Sequence, residues 1–198
     1  YIEKQKTEGS FCFIHINKCG GTSVEKALGL PLIHDTARQR IEKIGRARWD
    51  ALATFALIRH PYAKVVSHYK YRVKTDQTGM GDGHIGLNDW VLRAFGDQEP
   101  RYYDQPLMFQ PCLYWLVDDA DEVVVDHVIK LENIETEWPT LCLEVFGRPV
   151  SLGKHNTTAK ATKAGGADAL NSTAIDVLDK HFAVDFERLG YVPSDSSL

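Results

Sequence analysis

Short apolar runs alternate along the chain with stretches of helical period. Residues 11 to 16 (FCFIHI) and 53 to 58 (ATFALI) are nearly continuous apolar runs, the pattern of buried strands. A third run, from Val123 to Leu131, reads the same way. Thr22 to Leu28 predicts a helix that ends near Gly29. Thr36 to Ile44 predicts a second, with Asp35 or Thr36 as its cap and Gly45 beyond its end. Pro61 stands where a helix begins, and Tyr62, Val65, Val66, Tyr69 and Val73 then fall on one helical face. Asn88 caps a short helix through Phe95, and residues 105 to 117 carry aromatic and aliphatic side chains at helical spacing. Asn133 to Phe146 reads as a helix interrupted or bent near Pro139, and a last helix runs from about Thr173 to Arg188. Residues 75 to 86 are rich in glycine and polar side chains and read as a mobile loop. Residues 148 to 170 lack a hydrophobic period. This alternation of strand and helix predicts an α/β fold: one domain over residues 1 to 198, with a mostly parallel central sheet flanked by helices. Residues 1–9 and 193–198 are expected as flexible ends.

Composition narrows the partners. The 198 residues are 43% hydrophobic, enough for a well-formed core. Charged residues make up 25% and the formal net charge is -4, which argues against a general nucleic-acid binder. No apolar run of about 18 residues occurs, so no membrane span is expected. The sequence opens at Tyr1 rather than Met, which leaves room for an upstream segment. The four cysteines, Cys12, Cys19, Cys112 and Cys142, form no CxxC pair, so a zinc knuckle is not expected. Cys12 and Cys142 sit in apolar patterns and read as core residues. Free thiols in a short chain fit a cytoplasmic location.

Candidate chemistry begins directly after the first strand. Lys18-Cys19-Gly20-Gly21-Thr22-Ser23 joins that strand to a helix. A helix start leaves backbone N–H groups unpaired, and its dipole favours negative charge. Glycines let the backbone approach a ligand, Lys18 adds a full charge, and Thr22 and Ser23 add hydroxyl donors. The pattern suits a phosphate, and an ordinary tight turn would also tolerate it. It is not the nucleotide-triphosphatase loop GxxxxGK[ST], because Lys18 precedes the glycines.

The stretch FALIRHPYAKVVSHYKY, residues 55 to 71, offers a second anion grip. Arg59 ends a strand at the carboxyl edge, where open α/β sheets bind ligands, and its planar fork suits phosphate. Ser67 lies in the following helix and completes that grip if the helix folds back beside the strand. Taken singly, an ion-paired arginine and an ordinary helical serine explain these residues as well. Two grips at two strand ends suggest one ligand with separate phosphates.

Taken together, these stretches resemble the sulfotransferases that use 3′-phosphoadenosine 5′-phosphosulfate (PAPS). The likeness is to the carbohydrate branch with the heparan 2-O and chondroitin enzymes, and to its short bacterial relatives. HINKCGGTS resembles the family's 5′-phosphosulfate loop and LIRHPYAKVVSHY its 3′-phosphate motif. FQPCLYWL, VIKLENIETEW, KHNTT and DFERLGY continue the resemblance in order along most of the chain. Three positions depart from it: Asn17 stands for the usual proline, Cys19 for serine or threonine, and His60 for asparagine or aspartate. None removes the lysine, glycines, arginine or serine.

The resemblance implies a P-loop-like three-layer sandwich of the sulfotransferase and nucleotide-kinase kind. It implies transfer of a sulfuryl group from PAPS to an acceptor hydroxyl or amine, a carbohydrate by the branch, releasing 3′,5′-ADP (PAP). No metal is required. Cofactor contacts would come from Lys18, Cys19, Gly20, Gly21, Thr22, Ser23, Arg59 and Ser67, with Lys18 also at the reacting phosphate. A hydroxyl acceptor needs a base, and histidine suits neutral pH. His34, between the two motifs, is the first candidate. His15 reads as a buried, hydrogen-bonded histidine, His60 as a neighbour of the arginine turn, and His155 as a contact to cofactor or acceptor. Glu132 reads as an anchor of the third strand. Tyr102, Tyr103, Phe109, Tyr114 and Trp115 would line an acceptor cleft or pack the core. Lys154, Lys160 and Lys163 read as a solvated loop. A non-catalytic module for 3′,5′-ADP and an atypical nucleotide kinase remain as alternatives.

Overall fold

The computed structural model describes residues 1–153 and 169–193. KHNTT, with Lys154 and His155, and the lysines at 160 and 163 lie outside the described residues. Contacts group the chain into two compact units: Tyr1–Arg59 with residues 112–153, and His60–Pro111 with residues 169–193. No helix among the described residues is long and apolar enough to cross a membrane.

The first unit holds an open, parallel three-stranded sheet in the order β1-β2-β3. β1 is Phe11–Ile14, β2 Ala53–Ile58 and β3 His127–Lys130. The apolar runs form strands because both sheet faces are covered. On one face Phe13 stacks on its partner Phe55 at 5.0 Å between ring centroids. Phe55 also packs edge-on against Trp138 and Phe146 of helix α9 (Ile134–Phe146). On the other face Cys12 receives a hydrogen bond at 3.5 Å from Arg40 of α3 (Ala37–Ile44), which the short helix α4 (Arg46–Trp49) follows. The mixed α/β class with a parallel sheet is as expected.

Four boundaries differ from the pattern in the sequence. Residues 1–9 carried no predicted element, yet Ile2–Thr7 is helix α1, and buried Gln5 there accepts from Arg40. β1 stops at Ile14, so His15 and Ile16 lie between the strand and the turn at residues 17 to 20. The third strand is four residues long rather than nine. Val123 instead makes an antiparallel bridge to Val117, and the Asp126 carboxylate takes both the N–H and the hydroxyl of Thr54. The expected helical stretch at 105 to 117 is two helices, α7 (Pro106–Phe109) and α8 (Cys112–Leu116). Pro111 divides them, since the residue before a proline is driven out of the helical region and Gln110 sits at φ -63, ψ 148. Pro139, by contrast, does not interrupt α9.

The second unit is helical. Its elements are α5 (Pro61–Lys74), α6 (Leu87–Val91) with a π-turn over Leu92–Gly96, α7, α10 (Ser172–His181) and α11 (Ala183–Leu189). The single last helix expected from the pattern is thus broken at Phe182, and Asn171 caps α10 by accepting from the Ala174 N–H. α5 buries more polar residues than its apolar stripe implied. Lys64, His68 and Arg72 are buried, with Lys64 bonded to the Gln110 carbonyl and Arg72 paired with Asp104 at 2.9 Å. In the loop after α5, Met80 and Ile85 are buried and hold the glycine-rich segment against the helices.

Candidate functional site

The carboxyl edge of the sheet gathers most of the chemistry in the first unit. β1 leaves the sheet at Ile14, and residues 17 to 20 turn tightly into helix α2 (Gly21–Leu28). Lys18 holds a left-handed φ of 64, uncommon for a side chain with a Cβ and worth about 1–2 kcal/mol of strain. Gly20, at φ 87, is the N-cap of α2 and makes no side-chain capping bond. A Cβ there would lie 2.8 Å from the tip of the Leu131 side chain, which would have to move aside, and the left-handed φ itself favours glycine. Thr22 is exposed and Ser23 half-buried on the first turn. The Cys19 thiol faces inward, fully buried, 3.9 Å from the thiol of Cys112. Cys19 therefore meets the turn's open side only through its backbone.

Arg59 follows the end of β2 and donates from Nη1 to the Lys18 carbonyl at 3.3 Å. The two basic residues of the separate motifs therefore meet beside adjacent parallel strands. Ser67 lies half-buried on α5 in the second unit, and its assignment rests on the sequence resemblance alone. His60, in the same unit, is the N-cap of α5, contacts the Val192 carbonyl at 3.2 Å and packs among Tyr62, Phe186 and Tyr191.

His34 stands at the same edge. Its Nδ1 bonds to the His15 carbonyl at 2.9 Å, its ring centroid is 4.4 Å from that of His15, and Trp115 of α8 packs edge-on at 6.2 Å. The next residue, Asp35, is buried and clamped by Arg40 Nε at 3.2 Å and Lys43 Nζ at 2.6 Å. Thr36, the second of the two candidate caps, closes α3 through a reciprocal bond pair with Gln39. His34 is therefore fixed from both sides, by its own ring and by its neighbour.

Two features escaped the linear reading. Glu25 is buried on α2 and contacts His15 Nδ1 at 2.6 Å. Burial pushes its carboxyl up to about 7 and pushes the His15 imidazole down to about 3, with His34 and Lys18 adding to the latter. An acidic residue one turn after Gly21, on the face of Val24, was the available signal. Glu137 ties β3 to α9: it accepts from the Lys130 N–H at 3.3 Å and from Asn133 at 2.8 Å. Of the five aromatics read as cleft lining or core packing, Tyr102, Phe109 and Trp115 are core residues. Tyr114 is 42% exposed, with the Arg38 guanidinium 6.0 Å from its ring centre.

Compared with known proteins, the chain matches no family model, no curated protein and no solved structure.

Proposed function

We propose that the chain is a sulfotransferase. It takes a sulfuryl group from PAPS to a hydroxyl, or an amine, of a carbohydrate acceptor and releases 3′,5′-ADP, on a P-loop-like sandwich with the sheet at its centre. The observation that carries this reading is the bond from Arg59 Nη1 to the Lys18 carbonyl at the end of the sheet, with His34 bonded to the His15 carbonyl three residues before Lys18. The order of the motifs along the chain supports it. The glycine turn fits an anion: Gly20 brings no side chain to the start of α2.

PAPS, when bound, supplies an activated sulfuryl group on a phosphate leaving group. Lys18, the backbone of Gly20, Gly21 and Thr22, and the hydroxyl of Ser23 would hold that phosphate, with positive charge where negative charge grows. Arg59 brings a second, permanently charged donor to the same edge for the other phosphate. A backbone carbonyl only accepts, so the His34 ring must carry its proton on Nδ1 to bond His15. In the neutral ring Nε2 then bears the lone pair. That nitrogen takes the acceptor's proton as the new S–O bond forms.

The test is calorimetric titration with 3′,5′-ADP, 5′-AMP and magnesium ATP, on wild type and Arg59→Ala. Binding that needs the 3′-phosphate and weakens in the variant supports the assignment. Equal affinity for 3′,5′-ADP and 5′-AMP, or preference for magnesium ATP, overturns it. Nucleotide binding without turnover of labelled PAPS across an acceptor panel would leave a nucleotide-binding module in its place.

A further inference from the structure

The mechanism above uses His34 and leaves its neighbour idle. His15 is 4% exposed and Glu25 6% exposed, and their side chains meet at 2.6 Å beneath the glycine turn. The Cδ2–Nε2 edge of the His15 ring stands directly over the Gly21 Cα, at the amino end of α2, where any Cβ would collide with it. Among the described residues no hydrogen bond is made to His15 Nε2. The second nitrogen of a ring already held by Glu25 thus lies beside the helix start, 2.3 Å from where a Gly21 Cβ would stand.

We propose that His15 is a further anion ligand of the glycine turn and that Glu25 stores the proton that makes it one. This rests on the reading of that turn as the phosphate site. A carboxylate only accepts, so ionised Glu25 takes the Nδ1 proton of His15 and leaves a lone pair on Nε2, which repels an anion. A carboxylic acid donates to Nδ1, so the ring proton must then sit on Nε2, which becomes a donor. The change takes up one proton: it enters at Nε2, and the Nδ1 proton crosses to the carboxylate. His15 stays neutral in both forms.

The surroundings favour this division. Burial raises Glu25 and lowers His15, so the proton resides on the carboxyl. The groups facing the pair are the His34 ring and Lys18, both of which disfavour a charged His15, and the Ile33 N–H, which bonds Glu25. Phe13 stacks on the other side of His15 at 5.7 Å and carries no charge.

The first measurement is the ring ¹⁵N spectrum of His15 in the free protein, from pH 5.5 to 8.5. The expected result is conversion from the Nε2–H to the Nδ1–H form as pH rises through about 7 in wild type, and a single pH-independent form in Glu25→Gln. One unchanging form in wild type, or titration of His15 to an imidazolium near its ordinary value, overturns the proposal, and this needs no variant to fold. The second is titration with 3′,5′-ADP from pH 7 to 8.5, above the second ionisation of a phosphate. Wild-type affinity should fall, by at most about tenfold per pH unit for one linked proton, and Glu25→Gln should be flat. Equal slopes would remove His15 as a ligand. If 3′,5′-ADP binds at no pH, the sulfotransferase reading fails. Pyrophosphate titrated in the same way then decides the anion role of His15 by the same two slopes, and no binding of either overturns it.

Discussion

His34 donates from Nδ1 to the carbonyl oxygen of His15 across 2.9 Å, which leaves its Nε2 as the ring's accepting nitrogen at the carboxyl edge of the sheet. This bond fixes the tautomer of the neutral ring, and the proposed role of His34 as the base rests on it. His34→Gln should keep its affinity for 3′,5′-ADP within about twofold and lower turnover by about 10²–10⁴, the range for loss of one proton-transfer group. Single-turnover kinetics with labelled PAPS reads both. Turnover within tenfold of wild type would exclude His34 as the base.

Gly21 is required for a reason different from that of Gly29. Gly21 lies under the His15 ring, whereas a Cβ on Gly29 meets nothing within 4 Å and is opposed only by a φ of 65. Gly21→Ala should cost about 1–3 kcal/mol through overpacking and should displace His15. Gly29→Ala should cost about 1 kcal/mol and leave the turn intact. Urea denaturation, with the His15 ring resonances as the local probe, separates the two.

The pair beneath the turn also shapes stability against pH. Glu25 is raised from 4.5 to about 7 in the folded chain, so its contribution is present below pH 4.5 and is lost as pH climbs through about 7. His15 is lowered from 6.5 to about 3, so its contribution is present above pH 6.5 and is lost as pH falls through about 3. Between pH 4.5 and 6.5 the two slopes oppose and cancel. Glu25→Gln removes the falling limb, so the variant should gain stability relative to wild type as pH rises across that window. The gain is at most about 1.4 kcal/mol per pH unit for one proton. Parallel denaturation curves for the two proteins at pH 5 and 6.5 would refute the coupling.

Asp35 holds the chain directly after His34 by meeting Arg40, whose side chain is only 1% exposed. Asp35→Ala leaves the buried guanidinium without a carboxylate, with Gln5 and Cys12 as its remaining partners, and should cost about 3–5 kcal/mol. Arg40→Met combined with Asp35→Ala should recover much of that loss, because an apolar side chain tolerates the site. Chemical denaturation measures the pair. Recovery of stability without recovery of the His34 ring shift would assign Asp35 a positioning role beyond the core.

Much of the local structure was legible along the chain. Continuous apolar runs marked β1 and β2 because a parallel strand covered on both faces has no polar side to display. Gly29, Gly45 and Pro61 marked helix ends and a helix start because φ preference and the missing proline N–H act within a few residues. The candidate anion turn, Lys18 to Ser23, was legible in the same local way. Other features depended on partners far away in sequence. The third strand is short because Asp126 turns to Thr54, 72 residues earlier, instead of joining the ladder. α5 buries Lys64 and Arg72 because Gln110 and Asp104 receive their charges, and no helical periodicity foretells that.

The candidate site divides the same way. Its residue types and their nearness to strand ends are local properties, written in the motifs around Lys18 and Arg59. Which groups touch is a matter of sheet alignment and helix docking. Arg59 reaches Lys18 across 41 residues, Cys19 meets Cys112 across 93, and His34 finds the His15 carbonyl across 19. Burial of Glu25 against His15 likewise exists only once α2 has packed on the end of β1, since a carboxyl on an isolated helix would stay in water and ionise at its ordinary value.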